Sequence, residues 1–216
     1  MAKVYVFLAN GFEDVEALIP VDVLRRGGVE VVTVSVVDGS QVVETAHQVR
    51  IEADRLFADC DFSDADLLLL PGGMPGASNL YAHQGVCQAV LSQAKAGKKI
   101  AAICAAPAVV LGQLGILHGK RATCYPGFEQ MLDGATYTGE LCTVDGNVTT
   151  GEGPAAAFPF AFSLLYQLVN EWDKEQTAQQ IAVGMRYIHL ISPEPNSPFA
   201  PLNWSNGIGG LKTIFG

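Results

Sequence analysis

The sequence predicts an α/β fold on a mostly parallel sheet, and three observations carry that prediction. Short β-branched runs alternate with longer stretches of helical period, the pattern of strands joined by crossover helices. The run at 66–70 (DLLLL) is apolar on both faces, as a strand in the middle of a parallel sheet must be. Two helical stretches open on proline, Pro107 and Pro154, at the position where a missing N–H costs nothing.

In chain order, the first strand is expected over 3–9, an apolar run that stops at Asn10-Gly11. A helix follows over 15–27, with carboxylates in its first turn. The run EVVTVSV at 30–36 is a second strand, and 42–44 with 49–52 reads as a hairpin added to the sheet. After the central strand at 66–70 come a helix over 85–97, a strand over 99–103 and a helix over 107–114. A hairpin turns at Asp145-Gly146 between 142–144 and 147–149, which gives an edge strand and a last parallel strand at 148–150. Helices over 154–169 and 174–187 complete a domain spanning 1–187. Pro193, Pro195, Pro198 and Pro201 forbid helix or central strand beyond it. With Trp204, Ile208, Leu211, Ile214 and Phe215 behind them, residues 188–216 are expected to form an extended C-terminal arm.

Composition narrows the function. The 216 residues carry 49% hydrophobic and 16% charged side chains, which excludes a disordered chain. The formal charge of −9 repels phosphate backbones, so nucleic-acid binding is not expected. The N-terminus lacks the pattern of a signal peptide, and no apolar stretch reaches the ~20 residues of a membrane helix. Five scattered cysteines without metal-ligand spacing point to free thiols, a reducing cytoplasm and no metal.

Four segments that follow predicted strands hold the candidate chemistry: 10–16 (NGFEDVE), 71–76 (PGGMPG), 104–107 (CAAP) and 151–154 (GEGP). The C-terminal strand ends of a parallel sheet border one crevice, so all four face the same region. Cys104 sits between a strand and a helix, as in a nucleophile elbow, with Ala105 and Ala106 as the small neighbours such crowding demands. The helix N-terminus there is expected to lower the thiol pKa and make Cys104 the most reactive thiol. Among Glu13, Asp14 and Glu16, three acids exceed what a helix cap requires. One of them, buried beside the thiol, would be protonated and could donate to the thiolate. The residue pattern leaves Glu13 and Glu16 equal. Gly72 and Gly73 form either a plain tight turn or, with the Ala105 amide, an oxyanion nest. No nucleotide fingerprint follows them, and no cofactor is expected. His47, His83, His118 and His189 read as surface residues, so a Cys-His-acid triad has no support.

Together, 9–16 (ANGFEDVE), 19–28 (IPVDVLRRGG), 70–73 (LPGG) and 101–107 (AAICAAP) resemble the ThiJ/PfpI superfamily. Within it the chain is most similar to the branch of the parkinsonism-associated human deglycase and bacterial ThiJ-like proteins. The resemblance, which covers about residues 2–187, implies a flavodoxin-like, doubly wound sheet with helices on both faces, and a homodimer. It matches the family's reactive cysteine to Cys104, its protonated glutamate to Glu16, and its oxyanion amides to Gly73 and Ala105. The activity it implies is removal of methylglyoxal or glyoxal adducts, or glyoxalase turnover of small carbonyl compounds, in carbonyl and oxidative stress. Redox sensing or a chaperone role through oxidation of Cys104 is the rival. Bacterial members also carry a thiazole monophosphate biosynthesis label. Two departures matter. Ala105 stands where protease-type members have histidine, which argues against peptide hydrolysis. Tyr125 stands before Pro126 where several deglycase-type members have histidine, and a phenol is a poor base at neutral pH.

Overall fold

A computed structural model describes residues 1–169 and 174–187; the expected arm at 188–216 lies outside them. The elements that build the main layers are β1 (Lys3–Leu8), α1 (Asp14–Arg26), β2 (Glu30–Ser35), β3 (Val42–Glu44), β4 (Arg50–Glu52), β5 (Arg55–Leu56), β6 (Leu67–Leu70), α2 (Gly76–Ala82), α3 (Gln84–Lys95) and β7 (Lys99–Ile103). They continue with β8 (Arg121–Ala122), β9 (Thr136–Tyr137), β10 (Cys142–Asp145), β11 (Val148–Gly151), α4 (Ala157–Leu168) and α5 (Lys174–Gly184).

Seven strands form one sheet in the order β10-β11-β7-β6-β1-β2-β5. Every neighbouring pair is parallel except β10 and β11, which form the expected antiparallel hairpin. The chain starts in the middle at β1, runs outward through β2, then crosses to β6 and runs outward the other way. That reversal makes a topological switch point between β1 and β6, where such folds hold their ligands.

The core forms where the sequence is most apolar. Leu67, Leu68, Leu69 and Leu70 are wholly buried in β6 between β1 and β7. α1 packs on α4, and a methyl on Gly27 would collide with Leu165. α1 keeps Ala17, Pro20, Val21 and Leu24 inward, and Glu16 lies on the same buried side. Phe7 of β1 clusters with Phe57 and Phe62, their ring centroids 5.0–5.9 Å apart.

Three expectations need correction. β3 and β4 do pair, but as a separate two-stranded sheet and not as an extension of the main one. Residues 107–114 do not form an α-helix: Pro107–Gly112 is one wide π-type turn, all of it buried, and it ends where Gly112 abuts the Met131 carbonyl. Pro154–Ala156 is a tight 3-10 turn, and α4 begins only at Ala157.

Candidate active site

The loops after β1 and β6 press together at the switch point because glycine lets them. Gly11 has φ +85°, and a Cβ on it would lie 2.6 Å from Pro75 Cδ. A Cβ on Gly76 would lie 2.6 Å from Phe12 Cα. Backbone bonds close the gap: Glu13 N–H donates to Gly72 O at 3.1 Å, and Gly76 N–H to Gly11 O at 3.1 Å.

Cys104 follows β7 directly and lies in the left-handed region, at φ +66°, where a residue with a side chain is strained. Two neighbours hold it there. Its N–H donates to Gly151 O at 2.9 Å, and its carbonyl accepts from Tyr125 N–H at 2.8 Å. The elbow read from the sequence is therefore present as geometry, with Cys104 7% exposed. Gly72 faces it so closely that a Cβ would lie 2.6 Å from Cys104 Cβ and 2.7 Å from Glu16 Oε2.

Glu16, and not Glu13, is the carboxyl beside the thiol. It is wholly buried, and its Oε2 accepts from Gly72 N–H at 2.9 Å. The carboxyl and the Cys104 thiol also interact directly, through a side-chain hydrogen bond. Glu13 instead stands at the N-cap position of α1, where its side chain makes no cap bond and its carboxyl lies towards His47.

Electrostatics at the pair differ from the lowered thiol pKa expected above. Burial raises Glu16 to about 7, against the pull of the Cys104 and Gly72 hydrogen bonds. Burial first, and then the charge of Glu16, push Cys104 up to about 12. The amides of Gly73 and Ala105, which bond the sulfur, pull the other way. The turn at Pro107–Gly112 is too short to supply the dipole of a full helix. Two groups this close titrate as a unit. Burial raises both groups, so the pair resists giving up its last proton and keeps at least one at neutral pH. With that proton on Glu16, the carboxyl no longer opposes a thiolate and can donate to it.

Gly72 offers a direct test of this crowding. Gly72→Ala is expected to cost about 2–3 kcal/mol of stability, since neither a strained backbone nor a buried pair can yield. Thermal melting should show it, whereas Gly184→Ala, which meets nothing within 4 Å, should stay within ~0.5 kcal/mol of wild type. An unshifted Gly72→Ala melt would mean that the loop is loose.

Two of the remaining predicted residues, Gly73 and Tyr125, adjoin Cys104 through their backbone amides. Gly73, at φ +83°, is pinned against Gly11 and Phe12. Tyr125 is 46% exposed, and its ring lies over Gly153, where a Cβ would be 3.0 Å from Cδ2. Among the other thiols, burial and the charges of Glu129 and Glu152 push Cys124 up to about 12, and burial does the same to Cys142.

Sequence reasoning missed His47. Thr45 bridges to Phe12, and Gly11 N–H donates to Glu44 O at 2.8 Å, so the β3–β4 turn is carried onto the start of α1. His47 Nδ1 then lies 2.7 Å from Asp14 Oδ2 and 3.7 Å from Glu13 Oε1. These three side chains offer ligand atoms within 4.8 Å of one another, a spacing compatible with a metal ion. A hydrogen-bonded ion pair between His47 and Asp14 accounts for the arrangement without one.

A strained cysteine at a strand-to-turn elbow, paired with a buried glutamate at the switch point of a flavodoxin-like sheet, defines a class of cysteine-centred α/β proteins. The chain belongs to the DJ-1/PfpI family, whose sequence profile matches residues 2–167. It is 39% identical to Protein DJ-1 homolog B of Arabidopsis thaliana over 170 residues, 78% of this chain but only 39% of that relative's length. It is 33% identical over 158 residues to the Glutathione-independent glyoxalase DJR-1.2 of Caenorhabditis elegans, covering 72% of this chain and 82% of the relative. A DJ-1 superfamily protein from Salmonella typhimurium, solved as a cysteine-to-alanine mutant, superposes with a TM-score of 0.81 at 32% identity, covering 86% of this chain and 98% of that one.

Proposed function

We propose that this chain is a cofactor-free, cysteine-dependent enzyme of the glyoxalase or deglycase type, acting on methylglyoxal, glyoxal or the adducts they form. The observation that carries the reading is the buried Cys104–Glu16 pair, a thiol and a carboxyl in direct contact beside backbone donors. The relative named a glutathione-independent glyoxalase supports it.

The chemistry follows from the donors present. Cys104 Sγ, as thiolate, adds to the aldehyde carbon, and the carbonyl electrons move to oxygen. The amides of Gly73 and Ala105 stabilise that oxyanion, which takes the Glu16 proton. As a carboxylate, Glu16 then removes the hydrogen of the former aldehyde carbon as a proton and returns it to the neighbouring carbon. The hydroxyl proton passes to the second oxygen, leaving a thioester. Water cleaves it to lactate and free thiol. No electrons enter or leave, so no cofactor is required. Tyr125 can hydrogen-bond a substrate oxygen at the rim.

The test is lactate formation from methylglyoxal in the absence of glutathione. Lactate above buffer supports the reading. No lactate, with Cys104 gaining two oxygens under mild peroxide, would replace it with a redox sensor.

A homodimer is part of the proposal. α1 buries one side against α4 yet leaves Val15 and Leu18 about 36–38% exposed on the other. Sedimentation at micromolar concentration should give about twice the 22.9 kDa chain mass. A 22.9 kDa species there would overturn it. The free thiols Cys60, Cys87, Cys104, Cys124 and Cys142 fit a reducing, cytoplasmic setting. Among the described residues no helix is long and apolar enough to cross a membrane.

A further inference from the structure

Cys104 is gripped from two sides, and the two grips belong to different parts of the fold. β11 supplies one, where Gly151 O accepts the Cys104 N–H at 2.9 Å. The segment after β8 supplies the other, where Tyr125 N–H donates to the Cys104 carbonyl at 2.8 Å. β11 is anchored in the main sheet between β7 and β10. Residues 123–125 have no such anchor: β8 stops at Ala122 after two residues and pairs with β9 in a separate two-stranded sheet. A buried contact ties the segment to β11 instead. Thr150 Oγ1 accepts the Thr123 N–H at 2.9 Å, and its own proton points to the Thr143 carbonyl at 3.5 Å. Thr123 and Thr150 are both at most 1% exposed. The contacts close a ring. It runs from Cys104 to Gly151, along the chain to Thr150, across to Thr123, along the chain to Tyr125 and back to Cys104.

We propose that Thr150 is a positioning residue for Cys104, its hydroxyl setting the spacing of the two grips that keep the thiol-bearing residue in its left-handed conformation. A residue with a side chain stays at φ +66° only where its surroundings over-determine it. The grip from Tyr125 holds while 123–125 stays seated on β11, and the Thr150 hydroxyl is the acceptor that seats it. Without that acceptor the Thr123 N–H is buried and unpaired, and the segment must move to find another. Tyr125 then draws the Cys104 carbonyl with it and the backbone relaxes. Sγ thereby leaves the Glu16 carboxyl and the amides of Gly73 and Ala105. Thr150 bonds to Thr123 and Thr143 and not to the sulfur, so it acts through the Cys104 backbone. As a statement about turnover this rests on the enzymatic reading above; as a statement about the thiol it does not.

Thr149 supplies the control. It precedes Thr150 in β11, points to the opposite face and is as deeply buried, and its hydroxyl accepts from Gln167 Nε2 of α4 at 3.0 Å. Thr150→Val and Thr149→Val therefore remove the same group from the same strand, each at the cost of a buried hydrogen bond. The measurement is the pH midpoint of Cys104 alkylation by iodoacetamide, resolved from the other four thiols by mass spectrometry, with thermal melting alongside. Both variants should melt lower. Only Thr150→Val should move the midpoint, down by about one unit or more towards the ordinary thiol value of 9.0, because the sulfur leaves the burial and the carboxylate that hold it high. Thr150→Ser, which keeps the acceptor, should restore it. For lactate formation from methylglyoxal, kcat should fall roughly tenfold with KM little changed. Should Thr150→Val not fold, Thr150→Ala against Thr149→Ala carries the same comparison. A midpoint at the wild-type value in the Thr150 variant, or an equal shift in its Thr149 counterpart, would overturn the proposal. A midpoint shifted at Thr150 alone, in a protein whose wild type makes no lactate, would retire the enzymatic reading and leave the tie standing.

Discussion

Cys104→Ser is expected to lower lactate formation on the order of a thousandfold or more, to the background of the buffer. Serine keeps the size of the side chain and the elbow at φ +66°, so the fold should be retained. Its hydroxyl ionises several units above a thiol, and no histidine in the described site could activate it. Every other proposed contributor acts through the bond that Cys104 makes: the Gly73 and Ala105 amides need an oxyanion, and Glu16 needs a carbon-bound hydrogen made acidic by addition. Removing the nucleophile thus removes all three together, and their losses would not add. Turnover by the serine variant within tenfold of wild type would place the chemistry elsewhere.

Much of this site was legible because strand ends carry function in parallel sheets. The runs that became β1, β2, β6, β7 and β11 announced themselves by β-branched or continuous apolar composition, and the segments after them held Glu16, Gly72, Gly73 and Cys104. α2 was not legible: seven residues opening on Gly76 give too little period to see. The two-residue strands β5, β8 and β9 carry no alternation at all.

The choice between Glu13 and Glu16 did have a signal in the residues. Glu16 falls in the stripe with Ala17, Pro20, Val21 and Leu24, the face that an amphipathic helix must bury, whereas Glu13 precedes the helix. A carboxyl on an apolar stripe is the one whose burial needs explaining. His47 had no such signal. Its place beside Asp14 depends on a contact between Phe12 and Thr45 that no local pattern encodes. The thiol pKa was misjudged for a related reason: position in the chain indicates a helix start, but burial and the partner's charge belong to the folded state.

Glu16→Gln is expected to stabilise the protein by about 3 kcal/mol at pH 8 and to leave stability nearly unchanged at pH 4. Burial holds Glu16 at about 7 in the folded state, while the same carboxyl in the unfolded chain ionises near its ordinary 4.5. Between those values the native state binds more protons than the unfolded one, so the contribution of Glu16 to stability falls as pH rises from 4.5 to about 7 and stays low above it. Gln resembles the protonated acid at every pH and escapes that loss. Asp14 and Asp54, whose folded pKa values are lowered, push wild-type stability the other way over the acid range. They do so equally in the variant, so the difference between the two urea curves isolates Glu16. Function should move oppositely. Gln can still donate to sulfur but cannot carry a proton between carbons, so lactate formation should be lost while the fold gains stability. Glu16→Leu, with neither ability, should lose turnover and also raise the alkylation midpoint of Cys104 above that of Gln. A Gln variant equal in stability to wild type at pH 8 would show that Glu16 ionises in the native state as freely as in water, and the proton-holding pair would be wrong.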